Sequence, residues 1–161
     1  MSQQVIYRPA RETDRPDWIK LRHELWPHCP VDRHRLEIKQ LLKSEGIVVV
    51  AEIDGMLAGF AEVSLRHDHV EGTRASPVAY LEGWFVAPAY RERGIGRGLL
   101  DFVEQWAVGR GFDELASDAE LENIQGISLH SKLGFAEVGR TVHFVKPLRG
   151  DPANRSAHPN L

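Results

Sequence analysis

Residues 84–98 read WFVAPAYRERGIGRG. A strand is expected to end at Val86, because Pro88 has no amide hydrogen to give to a sheet. A helix is expected over 95–110: Leu99, Phe102, Val103 and Trp106 recur on one helical face, and Gly111 stands as its stop. From the strand end through the first turn of that helix lie Arg91, Arg93, Gly94, Gly96, Arg97 and Gly98. The first amides of a helix have no partner within it, and the helix dipole adds partial positive charge there. Glycines let backbone approach a phosphate closely and are costly in a helix that does not need them. The three arginines add full charges. The stretch therefore reads as an anion site made of backbone amides at a helix start. A dinucleotide fold is a competing reading, since Asp118 lies 22 residues beyond Gly96, where a ribose-binding acid would stand. The GxGxG spacing and the seven residues between Val86 and Gly94 oppose it.

Working outward, 161 residues suffice for one domain with a core of its own. A net charge of −3 argues against nucleic acid as a partner, and no apolar run nears the roughly 20 residues of a membrane span. The opening MSQQVIYRPARETD lacks a basic-then-apolar leader pattern, so a cytoplasmic protein is expected. Cys29 is the one cysteine, which excludes an internal disulfide. No CxxC or HExxH pattern occurs. In an extended segment His67 and His69 share a face with Asp68 opposite, so no metal is expected there.

The remaining pattern predicts a strand over 5–9 and a helix starting near Pro16, capped by Thr13 or Asp14, with Trp18, Leu21, Leu25 and Trp26 on one face. A second helix, capped by Asp32, carries Leu36, Leu41 and Leu42. Strands are expected over 47–53 and 56–66, joined by a type I′ turn at Asp54-Gly55. In the second of these, Leu57, Gly59, Ala61, Val63 and Leu65 share one face, and Phe60, Glu62 and Ser64 the other. A loop over 67–77 leads to a strand over 78–86. Beyond the helix at 95–110 come a strand over 112–117, a helix over 122–132 weakened by Gly126, and strands over 135–139 and 141–147. Residues 150–161 read as a polar tail. The order implies an α/β layer.

The RERGIG run matches the R/Q-x-x-G-x-G/A signature of the GNAT (GCN5-related N-acetyltransferase) superfamily. Asn123 and Lys132-Leu133-Gly134-Phe135 resemble that superfamily's closing helix and turn. The resemblance covers 1–148. It implies a GNAT domain over 1–149, with a central mixed, mostly antiparallel twisted sheet flanked by helices on both faces. It also implies acetyl-CoA as co-substrate and no metal. By resemblance, the stretch Arg93, Gly94, Ile95, Gly96, Arg97 and Gly98, with Arg91, holds the pyrophosphate. Phe85 and Val86 pair with the pantetheine, Val86 offers the oxyanion donor, and Asn123 joins the coenzyme site.

A narrower set resembles the aminoglycoside 6′-N-acetyltransferases: Leu21-Arg22, Leu25-Trp26-Pro27, Arg66-His67-Asp68, Ser76-Pro77, Leu81-Glu82-Gly83 and Ala116-Ser117-Asp118. His69 departs from the Tyr expected there, and the tail runs longer. This resemblance implies a cationic aminosugar acceptor and a homodimer exchanging strands near 141–145. Acetylation of another polyamine or a protein amine, and acetyl-CoA binding without catalysis, are the alternatives.

Acyl transfer to an amine needs a group to hold the ammonium and take its proton. Glu82, a carboxylate in an apolar strand, is the candidate; its alternative is a carboxylate facing solvent or an internal arginine. Asp118 is a second amine ligand or a helix cap. Trp26 offers a flat face to a sugar or cation, or belongs to the core. Asp68 and His69 are candidates to line the entrance, and Glu137 to bind an amine. His130 stands where many GNAT enzymes carry a Tyr that protonates the leaving thiolate; its alternative is a histidine bonded to backbone.

Overall fold

The computed structural model describes residues 3–149; the tail expected over 150–161 lies outside them. Strands β1 (Ile6–Pro9), β2 (Ile47–Ile53), β3 (Met56–Arg66), β4 (Val78–Val86) and β5 (Leu115–Ser117) form one sheet in the order β1-β2-β3-β4-β5. Every pairing is antiparallel except the parallel β4–β5 pair. Asp54 and Gly55 both take positive φ, 50° and 78°, as the predicted type I′ turn between β2 and β3 requires.

Helices cover both faces, which is why β2 reads as an apolar run from Ile47 to Ala51 rather than as an alternation. Val49, Ala51, Ala61, Val63 and Leu81 pack with Leu99 and Val103 of α3 (Ile95–Gly109, the third helix). Val48, Val50 and Phe60 pack with Trp18 and Leu21 of α1 (Arg15–Leu25) and Ile38 of α2 (Val31–Leu41). A fourth helix, α4 (Ile124–Lys132), follows β5.

Two register shifts modify the alternation. Between β2 and β3, Ala51 faces Gly59 and Glu52 faces Leu57, so Ala58 is an extra residue. Leu57 therefore packs with Phe60, not with Ala61 and Val63 as strict alternation predicts. Between β3 and β4, Glu62 faces Gly83 and Val63 faces Leu81, so Glu82 is the bulged residue.

Other expectations are corrected. Residues 135–139 and 141–147 form no strand among the described residues, and Phe144 and Val145 are 92% and 93% exposed. Their composition suits a strand, but a strand is stabilised by its neighbours rather than by composition. Leu36 is exposed, while His34 and Ile38 face the core, because α2 starts at Val31 behind Pro30 and Asp32 pairs with Arg35 instead of capping. The strand expected over 112–117 begins only at Leu115, and the helix expected from 122 begins at Ile124.

Asp14 makes no cap hydrogen bond to α1. Its carboxylate instead accepts from both Arg8 terminal nitrogens, each at 2.8 Å, and from the Arg11 amide at 2.7 Å. Arg8 also reaches Glu52 at 2.6 Å, so one guanidinium ties β1 to β2 and to the entry of α1. Arg8 holds the Asp14 carboxyl below its usual range, against the opposing effect of burial. A group with a lowered folded pKa stabilises the fold above its unfolded pKa and loses that contribution as pH falls through the folded value. Asp14→Asn is expected to cost about 1.5–3 kcal/mol at neutral pH. Urea denaturation across pH should show the gap to the wild type closing as acid protonates Asp14.

Candidate functional site

The site is built along β4. That strand pairs with β3 from Val78 to Val86, but with β5 only from Ala79 to Leu81. From Glu82 onward its far edge has no strand beside it among the described residues. Ala87 N–H donates to Ala58 O at 2.9 Å. In an antiparallel pair, the residue before such a bond turns its own amide and carbonyl away from the partner. Val86 thus presents its N–H to the open edge, and its carbonyl there accepts from Arg91 Nε at 2.9 Å.

The chain then turns into α3 through two left-handed residues, Glu92 (φ 61°) and Gly94 (φ 75°). No side chain caps α3. Gly98 N–H donates to Gly94 O at 3.0 Å, so the amides of Ile95, Gly96 and Arg97 are left at the helix start, as the sequence predicts for an anion site. Gly98 has a structural task of its own. Its amide is spent within the helix, and a Cβ there would lie 2.1 Å from the Tyr7 ring. That glycine admits β1 against α3. Arg91 stacks near Phe85 and Arg93 near Tyr90, at 5.5 and 5.7 Å from the ring centroids; Arg97 is exposed.

Below the open edge stands the Trp84 indole, which donates to Gly96 O at 3.0 Å and meets His130 edge-on, centroids 5.8 Å apart. His130 Nδ1 is 2.7 Å from Gly126 O and Nε2 is 2.9 Å from Ser117 Oγ. A carbonyl only accepts, so Nδ1 carries the proton of a neutral ring and Nε2 faces Ser117. His130 is thus bonded to backbone, and it also stands at the fork between β4 and β5. Asn123 caps α4, its Oδ1 accepting from Gly126 N–H at 2.9 Å. Gly126 leaves room for that cap, since a Cβ there would lie 2.3 Å from Asn123 Nδ2.

The other face of β4 carries charge. Glu82 accepts from Arg66 Nη2 at 2.7 Å, from Arg66 Nε at 2.9 Å and from Ser64 Oγ. Its partner is therefore an internal arginine. The Arg66 guanidinium carbon lies 3.4 Å from the centroid of the Tyr80 ring, and Tyr80 OH donates to Asp118 at 2.9 Å. Burial, and then the bond to Asp118, push the Tyr80 hydroxyl up to about 12. Asp118 does not cap α4; it closes a chain of contacts, Glu82–Arg66–Tyr80–Asp118. Trp26, at the C-terminal end of α1, rests on Gly83, where a Cβ would lie 2.4 Å from its ring, and lies 4.9 Å from the Arg22 guanidinium. It is half-buried, part of the α1 core and part wall of the site.

Three expected residues make no hydrogen bond or ion pair with this cluster among the described residues. Asp68 and His69 lie on the exposed loop between β3 and β4, where His69 Nε2 is 3.8 Å from Glu71. Glu137 pairs with Arg140 at 2.6 Å, which holds its carboxyl below the usual range. Sequence reasoning missed Arg66 and Tyr80. The alternation of β3 puts Arg66 on the face of Ser64, but only the register places it over Tyr80.

Deeper on the same face, Glu62 accepts from Trp18 Nε1 at 2.8 Å and from Arg22 at 3.1 Å. Burial pushes its carboxyl up to about 7, opposed by Arg22. Cys29, His34 and Glu37 also converge within 4.8 Å. Arg22 occupies that corner, donating to His34 Nδ1 at 3.3 Å and to Glu37.

Residues 8–135 match the model of the Acetyltransferase (GNAT) family, and the chain belongs to that family. It is 44% identical over 142 residues to aminoglycoside N(6′)-acetyltransferase type 1 of Stenotrophomonas maltophilia, covering 88% of this chain and 92% of that one. It is 42% identical over 140 residues to the protein of that name from Acinetobacter baumannii, covering 86% and 95%. Among solved structures it resembles aminoglycoside N-acetyltransferase AAC(6′)-Iy in complex with CoA, with TM-score 0.86, 36% identity and coverage of 91% and 97%. The same enzyme with the bisubstrate analogue CoA-S-monomethyl-acetylneamine gives a TM-score of 0.84 at 36% identity, covering 89% and 99%.

Gly83→Ala is expected to drive Trp26 off β4, destabilising the fold by about 1–3 kcal/mol. A lowered melting temperature with a red-shifted tryptophan emission is the outcome to look for; an unchanged spectrum would show that Trp26 does not rest on this strand.

Proposed function

We propose that this chain transfers the acetyl group of acetyl-CoA to the 6′-amine of an aminoglycoside. The observation that carries the reading is on β4: a bulged carboxylate, Glu82, stands four residues before an amide, Val86, that faces an unpaired strand edge ending at an uncapped helix start. The relatives named above, 44% and 42% identical, are aminoglycoside 6′-acetyltransferases, and AAC(6′)-Iy holds CoA and a CoA–aminoglycoside analogue in this fold.

Each group then has a task. The amides of Ile95, Gly96 and Arg97, with Arg91 and Arg93 nearby, bind the pyrophosphate of the coenzyme. The open edge at Phe85 and Val86 adds the pantetheine as a further strand. The Val86 amide stabilises the oxyanion as the amine adds to the thioester carbon. Glu82 holds the substrate ammonium and accepts its proton, directly or through water. Asp118 binds a second amine, and Trp26 gives the sugar a flat wall. The carbon–sulfur bond breaks and the thiolate takes a proton. A neutral His130 has none to give at Nε2, so the donor is its imidazolium, which returns to the neutral ring with the proton kept on Nδ1.

The assembly is part of the same proposal. Val142, Phe144, Val145 and Leu148 are exposed apolar residues near the end of the described chain, and a homodimer would cover them. No helix among the described residues is long and apolar enough to cross a membrane, and a cytoplasmic location is proposed.

Thiol release should be measured with a kanamycin bearing a 6′-amine and with its 6′-hydroxyl analogue. Turnover is expected with the first alone; no turnover on any 6′-amino aminoglycoside would overturn the function. Glu82→Gln is expected to lower kcat by about 10²- to 10⁴-fold, with the acetyl-CoA Kd nearly unchanged. Normal turnover by that variant would remove Glu82 from the role of base.

A further inference from the structure

Arg66 uses two nitrogens on Glu82 and lies flat on Tyr80, so a permanent cation already occupies the position an acceptor ammonium needs. An arginine cannot relieve this by losing its proton. Its side chain is 41% exposed and that of Glu82 31%, so the pair is a solvent-reached one and the arm can swing outward at small cost. Across the Tyr80 ring, Asp118 is exposed and receives only the Tyr80 hydroxyl, which brings no compensating charge.

We infer that Arg66 is an internal competitor for Glu82, a specificity-determining residue that an acceptor's ammonium must displace before the amine can be held. The inference rests on Glu82 as the ammonium ligand. With Arg66 in place, Glu82, Asp118 and Arg66 together carry one net negative charge instead of two. An acceptor gains by bringing several ammonium groups, one to replace the guanidinium at Glu82 and another to meet Asp118. A polycation can do both at once, whereas a singly charged amine exchanges one cation for another with nothing added. Arg66 therefore selects for acceptor charge at the cost of affinity.

Arg66→Met removes the cation and keeps an apolar stem over Tyr80. KM for kanamycin is expected to fall roughly fivefold, in keeping with a half-exposed ion pair, with kcat moving less than KM and the acetyl-CoA Kd unchanged. Raising the salt concentration should shrink the difference between variant and wild type. Arg66→Lys, which keeps the charge, should stay within about twofold of the wild-type KM. A purely structural arginine would not lower KM when lost. A raised KM in Arg66→Met, or an equal fall in both variants, overturns the inference, and a melting curve of each variant verifies the fold. If Glu82→Gln turns over normally, the error lies in the role of Glu82; if that variant is crippled and the Arg66 variants still fail to behave as stated, only the competition is wrong.

Discussion

Strand β4 is longer than the partner on one of its sides, and the functional face of the molecule follows from that inequality. Parallel pairing with β5 holds only from Ala79 to Leu81. Past that point the two strands part, and the Trp84 indole stands in the gap between the start of α3 and His130 of α4. A ring of that size, bonded to Gly96 O, keeps the fork open from within. The price is an unpaired strand edge, and an edge is where an extended ligand can add itself to a sheet. The same fork brings the α3 amides to the end of that edge. The Val86 amide and the helix start both lie along that open edge because a single strand runs on alone.

The face turned towards α1 holds two glutamate–arginine pairs, and burial separates their roles. Glu62 is 2% exposed, and its pair with Arg22 is shut beneath Trp18. Losing one partner of such a pair costs about 3–5 kcal/mol, since the other is left charged and unsolvated. That makes Arg22 a structural cation, which also explains its hold on His34 and Glu37 at the corner where three metal-ligand types converge. Glu82 lies further along, on the bulge, where solvent reaches it and its arginine. An exposed pair contributes about 0–1 kcal/mol and can be broken by a competing cation. Only the second glutamate is solvent-reached and replaceable in its contacts, which suits the amine-binding role proposed for it.

Those parts of the fold that depend on local pattern were legible in the sequence: the type I′ turn at Asp54-Gly55, the stripe of α3, the helix start after Pro88. The family resemblance added the expectation that the strand end at Phe85 and Val86 pairs with the coenzyme. What escaped reading is set by register and by close approach. Nothing in the alternation of β3 announces the extra residue at Ala58 or the bulge at Glu82. Gly98 resembles its neighbours Gly94 and Gly96, yet it serves the Tyr7 ring from a strand more than 80 residues earlier. Residues 141–147 have strand composition but no neighbour within the described chain, and composition alone cannot supply one. The pairing of Glu137 with Arg140, three residues on, is likewise visible only in the structure.

The contrast between Glu82 and Asp118 is chemical as well as positional. Glu82 is held by a guanidinium and Asp118 by a phenol. Tyr80, pushed up to about 12, keeps its proton at any working pH and so orients Asp118 without neutralising it. One ring thus serves two carboxylates, carrying on its face the cation that satisfies Glu82 and at its hydroxyl the bond that aims Asp118. The uncompensated charge of the pair sits on the exposed residue, where it attracts a cation. The compensated one sits deeper on the bulge, where a bare carboxylate would bear a desolvation cost. Under the proposed function a cationic acceptor would be drawn first to Asp118 and then inward to Glu82, the order following from which carboxylate already has a counter-ion.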